Sequence, residues 1–482
     1  MKLRGMFVTL FLSLCGGLVL AGRVAADPID DFIRGQLESQ KAPGLALLVM
    51  RNGTVVKEQG YGYSNLELRV PVTAETLFQS GSTGKMFAAA AILLLAQDGR
   101  LKLDDRLAMY YPDGPAAWHR ISIRELLTHT SGIKDYAEIN LGDLDYRKDY
   151  TDDELLAAMQ KMPLEFEPGT QWSYSNSGYV ILGLLITKLT GKDYSEFLGE
   201  RLFKPLGMQT AQLINERRVT PNRAAGYELD DHGVLANQQW VAPGLNRTAD
   251  GSLYFSLRDL AAWELGLEAR SFMGTQSFHD WWTAVRLANG TRYPYGFGWF
   301  LSEQRGEPVI MHGGAWQGFR AGIVRYPENQ LAVMVLANAA HVDATEIARE
   351  VAGRVDTHLE VRSATASSAQ PDERLTATLR GVLEAWADYR TTPAMAPSLA
   401  AVATGSAIEA HERQDVATHL RDARAFRLLG SDRLSKSAAE LLADGSVKAV
   451  DAVLVTDKSP VFVRFRLDGK DHVLGFAIRG GD

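Results

Sequence analysis

The chain has 482 residues, 46% of them hydrophobic and 23% charged, with one cysteine. That composition supports a substantial buried core and excludes disordered, collagen-like and disulfide-stapled proteins. Its 58 acidic and 51 basic residues leave a net charge of −7 without a long basic run, which argues against nucleic acid as the main partner.

Lys2 and Arg4, the largely apolar run from Met6 to Ala21, and Val24-Ala25-Ala26 before Asp27 read together as a secretory signal peptide over residues 1–26. An uncleaved membrane anchor is the weaker reading, because about 20 apolar residues are needed to cross a bilayer. Lipid attachment at Cys15 is disfavoured by the bulky Leu14 in front of it. Cleavage would remove Lys2, Arg4 and Arg23, leaving a periplasmic or secreted chain of net charge −10 with no cysteine and no membrane span.

Gly44 to Met50 is strand-like, Asn52-Gly53 is a hairpin turn signal, and Val55-Val56 begins a return strand. Lys85 to Ala96 is apolar all round, so it reads as a buried helix, which Gly99 ends. Residues 100 to 290 are mostly helical in pattern. Strands return at Tyr295 to Leu301, Val309 to Met311, Phe319 to Tyr326 and Leu331 to Leu336, so distant segments should share one sheet. Ile347, Val351 and Val355, spaced by four, mark a closing helix from Asp343 to Leu359. A Ser-, Ala-, Thr- and Pro-rich linker is expected over residues 363–372. Beyond it, residues 373–482 form a small C-terminal α+β domain, with a helix from Glu373 to about Asp388 and alternating strands around Val461 to Leu467 and Val473 to Ile478.

Ser82-Thr83-Gly84-Lys85 puts a hydroxyl and an amine three residues apart at a helix start, on one face and within hydrogen-bonding reach. Unpaired N–H groups there would stabilise an oxyanion, and burial would depress the lysine pKa. Taken alone, Ser-x-x-Lys is equally an N-cap serine and a solvated lysine. Tyr174-Ser175-Asn176 offers a phenol for proton relay and an amide for a substrate carbonyl, or is simply an exposed aromatic loop. His312-Gly313-Gly314-Ala315-Trp316 follows a strand, and its glycines would let an extended substrate approach, or form a bulge. His129 reads as a loop hydrogen bonder. A phosphate-binding loop is excluded by Phe78 and Met86, and neither Gly-x-Ser-x-Gly nor His-Glu-x-x-His occurs.

In this order, the three motifs resemble the serine β-lactamase and penicillin-binding protein superfamily. The tyrosine-first middle motif is similar to the class C β-lactamase, D-aminopeptidase and family VIII esterase branch. Leu126 to Gly132, Pro168-Gly169 and Tyr295 to Trp299 add to the likeness, which covers roughly residues 28 to 360. It implies a β-lactamase/transpeptidase-like α/β sandwich with an inserted helical region over residues 27–362, α+β in class. It also implies acyl transfer through a covalent ester on Ser82, with Lys85 and Tyr174 sharing its proton and Asn176 orienting the substrate. The oxyanion hole would be the backbone N–H groups of Ser82 and Ala315, and no cofactor or metal is implied.

Two departures stand out. Gly84 stands where the resemblance implies relatives usually carry Ser or Thr, and His312 replaces the lysine of the third motif. An exposed histidine with a pKa of about 6.5 is mostly neutral at pH 7.5 and charged by pH 6, so carboxylate-bearing penicillins should bind poorly at neutral pH. His312, Gly313, Gly314, Ala315 and Trp316 are expected to line the substrate wall. The expected substrate is a small ester, a D-amino-acid or peptide amide, or a β-lactam-like molecule. The alternatives are a weakly active β-lactamase or penicillin-binding protein, and an acylatable sensor with little turnover. Every motif lies before residue 363, so the first domain is expected to fold and work alone.

Overall fold

The computed structural model describes residues 27–137, 145–364, 372–403, 410–457 and 459–479. The expected signal peptide lies outside the described residues, as does most of the expected linker.

Helix α1 (Pro28–Ser39) leads into strands β1 (Gly44–Arg51), β2 (Thr54–Asn65) and β3 (Val70–Pro71). Asn52 and Gly53, at φ 53° and 69°, make the tight turn that Asn-Gly signals. Helix α2 (Lys85–Gln97) and helix α3 (Asn176–Thr190) belong to the long middle region. Strands β4 (Phe300–Gln304), β5 (Glu307–Trp316), β6 (Phe319–Tyr326) and β7 (Leu331–Ala337) then complete one antiparallel sheet of order β4-β5-β6-β7-β1-β2-β3. The two ends of the unit therefore meet at its centre, where Leu45 pairs with Ala337 and Arg51 with Leu331.

Strand β1 is buried on both faces, which is why it is continuously apolar rather than alternating. Leu45, Leu47 and Val49 pack with α1 and with α4 (Ala344–Val355), while Ala46, Leu48 and Met50 join the larger core around α2. The middle region is less helical than its composition suggests, because short two- and three-residue strands interrupt it. The expected strand at Tyr295 begins only at Phe300. Before it, Trp281 Nε1 donates to Phe297 O at 2.8 Å, and Gly298 takes a left-handed φ of 72°.

Past the linker lie helix α5 (Glu373–Ala387), strand β8 (Ala425–Arg433), helix α6 (Lys436–Leu442), and strands β9 (Lys448–Val455), β10 (Val461–Leu467) and β11 (Val473–Arg479), the strands forming a second antiparallel sheet in that order. This unit has its own core of Leu379, Leu383, Val450, Val463 and Phe465. It also docks firmly. Arg464, buried, pairs with Glu303 of β4 and with Asp432 and Asp451 of its own sheet. Arg305 reaches Asp432 at 3.2 Å, and Leu441 and Ala443 pack on the larger core. The arginine explains why Glu303 stays ionised: burial alone would raise its pKa, but Arg464 pulls it below the usual carboxylate value.

Candidate active site

Ser82 sits in a 3₁₀ turn, Gly81–Gly84, that runs straight into α2. The turn is clamped by main chain. A Cβ on Gly81 would lie 2.4 Å from Ala315 N, one on Gly314 2.1 Å from Ser80 O, and one on Gly251 2.6 Å from Gly81 C. A Cβ on Gly84 would itself lie 2.9 Å from Gly251 Cα and 3.2 Å from Ser80 Oγ, which accounts for glycine at this position. Ser80 Oγ donates to Gly251 O at 2.7 Å, and Thr83 Oγ1 to Ser80 O at 2.8 Å.

Lys85, fully buried at the first turn of α2, places Nζ 3.1 Å from Ser82 Oγ, 2.6 Å from Asn176 Oδ1 and 2.7 Å from Asp250 O. Asn176 is held in that orientation because its Nδ2 donates to Asp135 Oδ2 at 2.9 Å. Burial pulls the Lys85 pKa down to about 8, against the opposing charges of Asp250 and Asp135. In the neutral amine, two N–H groups satisfy the two carbonyl acceptors, which cannot donate. The lone pair is left for the Ser82 hydroxyl, the partner able to donate. The Tyr174 phenol is close enough to Ser82 to interact with it, and its ring lies 4.8 Å from Lys85 Nζ. Burial pushes the phenol well above its ordinary pKa despite the opposing influence of Ser82, so Tyr174 is protonated at neutral pH.

On the sheet side, β4 pairs with β5 only up to Phe300 opposite Met311, so residues 312–316 have an open edge. Gln317 and Gly318, both at positive φ, close a two-residue hairpin between paired Trp316 and Phe319. The backbone groups of that closing pair face each other, so by alternation those of Gly313 and Ala315 face the open edge. Ala315 and Trp316 line a cavity of about 150 Å³ together with Gly81, Ser82, Tyr136, Asn176, Asp250 and Gly251. Trp316 is fixed there by donating from Nε1 to Asn246 Oδ1 at 2.6 Å.

His312 does not line that cavity. It shares a face with Gly314 and Trp316, as strand alternation requires, but is only 2% exposed. Its Nδ1 and Gly313 O lie 2.6 Å apart, which makes Nδ1 the protonated nitrogen and Nε2 an acceptor. Tyr295 OH therefore donates to His312 Nε2 at 3.1 Å and accepts from His129 Nε2, also at 3.1 Å. His129 Nδ1 in turn accepts from Ser175 N. This His-Tyr-His chain ties together the loop of His129, the turn of Tyr174, whose ring lies 4.3 Å from that of His129, and strand β5. Burial, reinforced by the Lys85 charge, pulls the His312 pKa down to about 3, and burial likewise holds His129 well below its ordinary value. The expectation that His312 charges by pH 6 and meets substrate is therefore corrected: both rings are neutral and structural.

Three residues at the site were not found from sequence: Asp135, Tyr136 and Asp250. The first two lie three and four residues beyond the quoted stretch Leu126 to Gly132 and could have been read as its continuation. Asp250 carries no local signal. Among the described residues, no group of three or more His, Cys, Asp or Glu side chains stands ready for a metal, and no helix is long and apolar enough to cross a membrane.

A beta-lactamase family model matches residues 29–356. The chain belongs to the beta-lactamase family. Among its relatives, penicillin-binding protein 4* of Bacillus subtilis (strain 168) is 30% identical over 307 residues, 61% of this chain and 67% of that protein. The D-aminopeptidase of Gluconobacter oxydans (strain 621H) is 31% identical over 314 residues, 64% of this chain but only 57% of the relative's length. In fold, the chain resembles an octameric penicillin-binding protein homologue from Pyrococcus abyssi, at TM-score 0.62, 22% identity and coverage of 91% and 96% of the two chains. It also resembles a D-amino acid amidase from Ochrobactrum anthropi SV3, at TM-score 0.58, 24% identity and coverage of 67% and 96%. Members of the beta-lactamase family are serine hydrolases of the acyl-transfer type.

Proposed function

We propose that this protein hydrolyses small esters or D-amino-acid and peptide amides through an acyl-enzyme on Ser82. The observation that carries this reading is the hydrogen-bond geometry of Lys85, whose neutral amine has its lone pair free for one hydroxyl, that of Ser82. Lys85 takes the Ser82 proton as Oγ attacks the carbonyl carbon. The backbone N–H groups of Ser82 and Ala315 receive the oxyanion. Tyr174, protonated and beside Ser82, passes a proton to the leaving group and is reprotonated from Lys85. Water then enters by the reverse path and releases the acid.

Carboxylate-bearing β-lactams are poor substrates on this reading, because the third motif supplies a neutral, buried imidazole where a cation would grip the carboxylate. Export through the N-terminal segment belongs to the same proposal, and release of residues 1–26 on secretion would be seen by N-terminal sequencing. The function is tested with a fluorophosphonate probe and p-nitrophenyl esters. Ser82→Ala should abolish labelling and lower turnover by on the order of 10⁴-fold or more. Labelling retained at another residue would overturn the assignment.

A further inference from the structure

The cavity beside Ser82 has an unusual charge balance. When Lys85 is neutral, as a base must be, Asp250 and Asp135 stand next to it, while the described residues lining the cavity include no arginine or lysine. His129 and His312 are uncharged. Asp135 is committed, since its two oxygens accept from Asn176 Nδ2 and from Ala137 N at 3.0 Å. Asp250 is committed on one side only. Its Oδ2 accepts from Tyr136 OH at 2.8 Å, whereas Oδ1 is buried without a hydrogen-bond partner among the described residues. The residue is 8% exposed and lines the cavity. A buried carboxylate oxygen without a donor is strongly unfavourable, and a charged donor satisfies it best.

Resting on the acyl-transfer reading above, we propose that the cavity takes an acyl group carrying an ammonium ion, with Asp250 as its counter-ion. A volume of about 150 Å³ equals roughly five water molecules at 30 Å³ each, enough for an amino-acyl group of a few carbons. An acyl group bearing a carboxylate meets repulsion from Asp250, and a neutral one leaves the oxygen unmatched. Tyr136 is a positioning residue that holds the carboxylate in place.

The test compares alanine p-nitroanilide, in both D and L forms, with propionyl p-nitroanilide, which lacks only the amine. At pH 7 the wild-type enzyme should favour one alanine enantiomer by about tenfold or more in kcat/KM. Asp250→Asn, checked for folding by its melting temperature, should cost that substrate at least tenfold more than it costs the propionyl compound. Parity between the pair in wild type overturns the ammonium site, and does so without any variant. Equal losses on both substrates in Asp250→Asn also overturn it, and would mean that the carboxylate serves only as a counter-charge to Lys85. Hydrolysis of p-nitrophenyl propionate with neither anilide cleaved overturns it as well. Failure of the acyl-transfer reading looks different: no ester is cleaved and no phosphonate labels Ser82.

Discussion

Lys85 is the residue whose protonation should set the rate. Its pKa of about 8 lies below the ordinary lysine value, so the neutral, proton-accepting form is about a tenth of the enzyme at pH 7 and about nine tenths at pH 9. The kcat/KM for a neutral ester should therefore rise with pH and level off above about 8. A profile flat from pH 6 to 9 would remove Lys85 as the base. His312 should behave in the opposite sense to a substrate-gripping cation. His312→Lys places a second ammonium in a buried site already shared with Lys85 and severs the bond from Tyr295, so it should lower the melting temperature and turnover alike. A variant that instead gains β-lactamase activity at unchanged stability would restore the idea that position 312 faces substrate. The contrast shows where sequence reading stops. Ser82, Lys85, Tyr174 and Asn176 were legible because they lie in short motifs whose spacing dictates a shared cleft. The burial of His312 was not, because alternation along a strand says which face a side chain takes and nothing about what covers that face. Asp250 was illegible for a related reason: only the fold brings residue 250 next to residue 85.

Among elements, the hairpin of β1 and β2, the buried helix α2 and the closing helix α4 followed from turn residues and periodicity, since each is specified locally. The 3₁₀ turn before α2 was not, because it is shaped by contacts from Gly251 and from β5. Gly84 is instructive here. The resemblance implies a hydroxyl residue at this place, yet in this chain a Cβ would lie 2.9 Å from Gly251 Cα, so a side chain fits only if the backbone shifts. Gly84→Ser should therefore push the nucleophile turn away from Gly251, costing on the order of 1–3 kcal/mol as an overpacked core position and lowering kcat more than it changes KM. Chemical denaturation and steady-state kinetics would show it. Unchanged stability would mean that the turn has slack the geometry does not reveal.

For the whole molecule, the expectation that residues before 363 stand alone meets a buried ionic junction. Glu303 of β4 is paired with Arg464 of β10, and Gly306, whose Cβ would lie 2.4 Å from Arg433 O, seats the β4–β5 turn against the C-terminal sheet. Arg464→Ala leaves Glu303 buried without its ion-pair partner, while Asp432 and Asp451 keep Arg362, so it should destabilise the protein by about 3–5 kcal/mol. A chain ended at residue 362 should likewise unfold at a lower temperature than the full protein, even if it still cleaves esters. Equal melting temperatures for the full and shortened chains would show that the junction is electrostatically idle.

The three glycines around Ser82 have a mechanical consequence. Gly81 and Gly314 bring the nucleophile turn against the sheet, and Gly251 presses on it from the helical side, so Ser82 acts as a rivet through both layers. A cleft riveted at its floor cannot gape by swinging one layer from the other. Admission of substrate and escape of product must then fall to the surrounding loops, and with them any slow step that is not chemistry. Amide hydrogen exchange should find residues 80–84 as protected as the central strands. Exchange as fast there as in the outer loops would mean that the rivet is loose and the layers do part.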